Sequence, residues 1–131
     1  MSTIKADNIA TLAGVSTSMA NAVNGSAKAW VNFNGTFATS PYTVANGGIR
    51  GAYNVTSVTD NGTGQYTVNF TNPINGSYVV VSELSDPNST NPTNGIGTLL
   101  YSTSSTSLRI HCGLYSSGYY DTPQANIAVF A

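Results

Sequence analysis

His111 and Cys112 stand side by side in SLRIHCGLY (107–115), and they are the sole histidine and sole cysteine of the chain. Neighbouring side chains on an extended strand point to opposite faces, so this pair cannot close on one metal ion. A metal site would need three or more ligands from one subunit, or His111 repeated about a symmetry axis. The alternation instead sends Cys112 into a core with Leu108, Ile110 and Leu114, and His111 to an outer or inter-subunit face. One histidine is a thin basis for a catalytic triad, and no G-x-S-x-G elbow occurs. No cofactor is expected.

Acid–base catalysis asks for a placed pair of titratable groups. The five acids are Asp7, Asp60, Glu83, Asp86 and Asp121. Asp60 falls in a turn, where its side chain favours turn geometry, and Glu83 alternates with apolar neighbours. Asp86 and Asp121 lie in two long polar connections, 85–96 and 116–124. A dyad across those loops is one reading, a small glycan hydrolase; solvated loop acids are the reading we favour, and no enzyme activity is expected. Tyr115, Tyr119 and Tyr120 cluster at the second loop. Aromatic faces beside Asn, Ser and Asp suit sugars and other polar surfaces, and tyrosine gives large contact area at low entropic cost. Tyr115, Tyr119, Tyr120, Asp121, Asp86 and Asn88 are therefore the candidate glycan-contacting positions. The glycine-containing NGTG at 61–64 is followed by neither a helix nor a lysine, and reads as a hairpin turn rather than a phosphate cradle.

The elements that must carry these residues come from periodicity. From Ala27 onward the apolar residues alternate. Ala29, Val31 and Phe33 oppose Trp30 and Asn32; Tyr66, Val68 and Phe70 oppose Gln65, Thr67 and Asn69. Residues 49–58 read as one strand with Ile49, Tyr53 and Val55 on one face. The more continuous apolar run SYVVVSEL (77–84) reads as a strand covered on both sides. Residues 97–103, 107–115 and 125–130 complete roughly seven strands. Asn-Gly at 34–35, 46–47, 61–62, 75–76 and 94–95 supplies turn residues that tolerate positive φ. The expected fold is all-β, an antiparallel β-sandwich over residues 28–131.

Residues 1–27 differ: they hold no aromatic residue, and Ile9, Leu12, Val15, Met19 and Val23 recur at helical spacing. Asp7 could cap a short helix, Gly14 weakens its middle, and Asn24-Gly25 closes it. The segment reads as a partly helical N-terminal arm. Ile4, Ile9, Leu12, Val15, Met19 and Val23 would anchor it to partners or to copies of itself.

The chain has 131 residues, with a charged fraction of 7% and a net charge of −1. Globular domains usually carry about 25% charged residues. There is no basic footprint for nucleic acid, no polybasic membrane-binding segment, no apolar run long enough to span a membrane, and no signal-peptide pattern at the N-terminus. A near-neutral domain also lacks the repulsion that keeps proteins apart, so self-association is expected.

STIKADNI (2–9), AKAWVNFNG (27–35) and IRGAYNVTSVTDNGTGQYTVNF (49–70) together resemble a family of bacteriophage virion proteins, tail-fibre and other structural components common in marine and cyanobacterial phages. The resemblance covers about residues 1–71. It departs from the usual pattern at TFATSPYTVANGG (36–48), which is longer than the usual link, and nothing beyond residue 72 contributes to it. It brings no catalytic residues. It implies a virion location on tail or capsid, an arm docked on other virion proteins, a homotrimer, and contact with a host-surface glycan. A capsid decoration or head-fibre protein is the alternative it leaves open. Asn and Thr can form neutral hydrogen bonds across such subunit interfaces without burying charge.

Overall fold

A computed structural model describes residues 7–10, 14, 16–18, 22–23, 25–85, 96–114 and 118–131. The alternating segments become strands in two antiparallel sheets packed face to face. β3 (Ala29–Phe33), β4 (Ile49–Tyr53), β7 (Val79–Leu84) and β11 (Ala125–Phe130) form sheet I, in the order β4-β3-β11-β7. β5 (Val55–Asp60), β6 (Gln65–Phe70), β8 (Ile96–Thr103) and β9 (Ser107–Leu114) form sheet II, in the order β5-β6-β9-β8. A two-residue strand, β10 (Gly118–Tyr119), pairs with the end of β9 beyond β6. Every ladder is antiparallel, and the fold is the expected all-β sandwich.

The period-2 pattern sets what lies between the sheets. Ala29, Val31 and Phe33 of β3 and Ala125, Ile127 and Val129 of β11 face Tyr66, Val68 and Phe70 of β6 and Leu108, Ile110 and Cys112 of β9, all buried. Trp30 and Asn32 point out of sheet I, and His111 points out of sheet II, as the alternation predicts.

Three expectations are corrected. First, residues 49–58 are not one strand. Asn54 adopts φ of 54° and breaks the run into β4 and β5, which belong to different sheets. Asparagine tolerates this left-handed conformation, and its amide secures the corner by donating to the Lys28 and Asn72 carbonyls while accepting from the Asn72 backbone N–H. Tyr53 consequently faces outward, away from buried Ile49. Second, β7 is not covered on both faces. It is an edge strand whose Val79 and Val81 are 64% and 56% exposed. Third, residues 8–10 and 16–18 of the arm are extended rather than helical, and among the arm's described residues helix occurs at Ala22 and Val23. β1 (Asn8–Ala10) and β2 (Ser16–Ser18) pair antiparallel, Ile9 opposite Thr17, and Gly14 lies between them at φ of 80°. A glycine that costs a helix stability serves a reversal well.

Candidate functional site

Two of the acids, Asp60 and Asp121, are occupied in holding the fold together. Tyr42 and Tyr66 are fully buried and pack edge-on or tilted against Phe33 at the end of the core. The Tyr66 hydroxyl reaches Asp121 Oδ1 at 2.8 Å and the Tyr42 hydroxyl reaches Asp60 Oδ2 at 3.0 Å. Both phenols also approach the Gly35 carbonyl, each at 3.1 Å. Gly35 is required here by space rather than by backbone angle, since a Cβ would strike the Tyr66 hydroxyl and the Thr122 carbonyl. Each carboxylate further accepts a backbone N–H from the β5–β6 hairpin: Gly62 donates to Asp60 and Gly64 to Asp121. The TDNGTG turn is thus pinned between the two acids. Burial, then the hydrogen bond to the neighbouring carboxylate, pushes both tyrosine pKa values well above the ordinary phenol value. Cys112 is equally interior, its thiol pushed up to about 12 by burial and the nearby Asp121 charge.

The outer face of sheet II carries a different arrangement. The β8–β9 register sets Leu99 opposite His111, and a bulge between Leu100 and Ser102 brings Tyr101 over the same face. The Tyr101 ring stacks on the His111 imidazole, with centroids 4.7 Å apart and planes 18° apart. Tyr119, from β10, meets His111 edge-on at 4.8 Å. The Arg109 guanidinium lies 5.0 Å from the centre of the Tyr101 ring and donates to Gln65 Oε1 at 3.1 Å. His111 is buried between the tyrosines, and that burial, with the Arg109 charge second, lowers its pKa. Among the described residues, Arg109 Nε and His111 Nε2 have no hydrogen-bond partner. Exposed tyrosines and one cation form a surface suited to a partner that brings acceptors and apolar area together, while the two unpaired nitrogens lie buried beneath it.

Three of the predicted glycan-contacting residues are among those described, and their side chains go in different directions. Tyr119 is exposed on the outer face, Tyr120 turns half inward with its backbone N–H bonded to the Cys112 carbonyl, and Asp121 joins the buried tyrosine cluster. Tyr119, Tyr120 and Asp121 do not share one face. Tyr115, Asp86 and Asn88 lie outside the described residues, as do Ile4, Leu12, Val15 and Met19 of the predicted anchoring set. Ile9 falls in β1, and Val23 is 52% exposed. Tyr101 and Arg109 were missed. Arg109 shares a face with His111 by simple alternation, whereas Tyr101 depends on register and bulge. No group of three or more His, Cys, Asp or Glu able to hold a metal ion occurs among the described residues.

Comparison with known protein families, curated proteins and solved structures finds no match.

Proposed function

We propose that the chain is a non-enzymatic structural subunit of a bacteriophage virion, a tail-fibre-like appendage that assembles as a homotrimer, docks through residues 1–27 on other virion proteins, and turns its loops toward the host surface. The observation that carries the assembly is one side of the sandwich. There the edge strands of the two sheets, β7 and β8, lie against each other, and this edge is flanked by apolar side chains at least half exposed, Val79 and Val81 from sheet I and Leu99, Leu100 and Tyr101 from sheet II. Unpaired edges bearing apolar side chains are ordinarily blunted with charge; here Glu83 is the one charged residue on β7, and β8 has none. A second copy of the chain seated on Val79, Leu99, Leu100 and Tyr101 would cover apolar area while leaving Glu83 at the solvated rim. The virion assignment draws on the resemblance of the first half of the chain, and the non-enzymatic reading on the structural employment of Asp60 and Asp121.

The test is removal of residues 1–27. The truncated chain should fail to enter particles while remaining folded, and its retention in particles would overturn the anchoring role. The exposed apolar side chains flanking β7 and β8 would equally suit a seat on a capsid subunit, which favours a second reading, a capsid decoration or head-fibre protein. A label at Ala131 imaged on the head rather than the tail would select it.

A further inference from the structure

The outer face of sheet I holds a trough with unlike walls. The ladders align Tyr53, Trp30, Ala128 and Val81 in one row across four strands, and Gly51, Asn32, Asn126 and Glu83 in the next. In the first row a small residue, Ala128, lies between two large ones. Trp30 is 43% exposed and Val81 is on the open edge strand, two strand spacings or about 10 Å away. The result is a depression of about 460 Å³ with Ala128 in its lining. A Cβ on Gly51 would come 3.3 Å from the Trp30 ring, so the benzene portion of the indole lies over this glycine.

The second row is a continuous hydrogen-bond chain. Arg50 Nη1 donates to Asn32 Oδ1 at 3.2 Å, Asn32 Nδ2 donates to Asn126 Oδ1 at 2.6 Å, and Asn126 Nδ2 reaches Glu83 Oε2 at 3.4 Å. A guanidinium and a carboxylate thereby fix both amides in one orientation. Each amide NH2 has two hydrogens, so Asn32 and Asn126 each retain a spare donor, and Glu83 retains acceptor capacity. Arg50 is otherwise spent on the Phe33 and Pro123 carbonyls. The trough therefore has an aromatic wall on one side and an aligned row of donors ending in an acceptor on the other. The two are one same-face step apart along β3, or about 6.6 Å.

We infer that this trough is a binding site for a neutral pyranoside. The sugar's C–H face would lie against the electron-rich face of Trp30, and its hydroxyl edge would bridge the Asn126 amide and the Glu83 carboxylate. Hydroxyls match this row because each both donates and accepts. An anionic sugar meets the Glu83 carboxylate, and Arg50, the cation of this row, is already engaged with Asn32 and two carbonyls. A second protein copy seated here would bury that carboxylate against apolar surface, which is costly. The inference deepens the proposed attachment role by naming a site and a ligand class on a sheet face rather than on the loops.

Trp30 is the sole tryptophan of the chain, so its fluorescence reports on the trough directly. The full-length protein is titrated with the methyl glycosides of glucose, galactose, mannose and N-acetylglucosamine, and with a glucuronide. A saturable change in Trp30 emission is expected with at least one neutral glycoside. Asn126→Ala should weaken it about tenfold, the cost of one hydrogen bond to the ligand, and Gly51→Val, which keeps the indole but displaces it, should weaken it also. Circular dichroism of both variants confirms that the sheets remain. No saturable change with any neutral glycoside, equal affinity in Asn126→Ala, or preference for the glucuronide would overturn the inference. So would a Trp30 already shielded from acrylamide quenching in the assembled protein and unresponsive to sugar. The protein's mass, read on the same sample, separates the two claims. A trimer that ignores sugars sinks the sugar site alone, and a monomer that binds them sinks the assembly alone.

Discussion

Tyr66 and Asp121 are fifty-five residues apart in sequence, and their hydroxyl and carboxylate meet at 2.8 Å inside the end of the sandwich. That bond links the β5–β6 hairpin to the segment entering β11, because Asp121 Oδ1 also accepts the Gly64 N–H at 2.7 Å. An acid that composition alone offers to a catalytic dyad is thus a structural tie. Tyr66→Phe should lower stability by about 1–3 kcal/mol, since it leaves buried acceptors short of a donor. An unchanged urea midpoint would show that the bond contributes nothing.

Alkaline pH should unfold the protein ahead of any hydrolytic damage. Tyr42, Tyr66 and Cys112 all bind their protons more tightly when folded than when unfolded. The unfolded chain gains by ionising first, so stability is full below the ordinary thiol value of 9.0. It then falls as pH rises past that value and past the ordinary phenol value of about 10. Denaturant midpoints measured from pH 7 to 11 should be flat and then decline; a midpoint that rises above pH 9 contradicts the burial of these groups.

The same burial makes Cys112 inert. A thiol reagent at neutral pH should leave the native protein unmodified and label one thiol per chain after unfolding in urea. Stoichiometric labelling of the native state would place Cys112 outside the core.

His111 should titrate below the ordinary histidine value of about 6.5, because two tyrosines exclude water from it and Arg109 is close. Its contribution to stability is present above that value and is lost as pH falls through the lower folded value. NMR of this lone imidazole reads the midpoint directly, and Tyr101→Ala should raise it by exposing the ring. An unchanged midpoint in that variant would mean that Tyr101 does not shield it.

The sheet-switching corner at Asn54 should be sensitive in a particular way. Asn54→Ala loses both the amide bonds and the tolerance of positive φ, costing about 1–3 kcal/mol. Asn54→Gly restores the φ and should be the milder change. Equal losses in the two variants would assign the whole effect to the hydrogen bonds.

This corner also shows where sequence reading reached its limit. Alternation correctly placed Ala29, Val31 and Phe33, Tyr66, Val68 and Phe70, and Leu108, Ile110 and Cys112 in the core, because a period of two is a local property. Asn54 looks like any polar residue in a strand, and its left-handed backbone leaves no mark on the pattern. The run 77–84 reads as covered on both sides because apolar continuity cannot distinguish a strand covered by its own fold from one left at an edge. Tyr119, Tyr120 and Asp121 are neighbours in sequence, but the chain leaves β10 after Tyr119, so alternation does not say where the next two side chains point. Tyr101 over His111 and Asn32 beside Asn126 arise from registers between distant segments, which no single stretch of the chain encodes.

The open β7–β8 side is the centre of the functional account, and the mass of the full-length protein in solution tests it most directly. Light scattering on the eluting protein should give three times the chain mass of 13.6 kDa, falling toward a single chain when Val79→Lys and Leu99→Lys are combined. A wild-type protein that elutes as one 13.6 kDa chain across the accessible concentration range, with that side open to solvent, would contradict it.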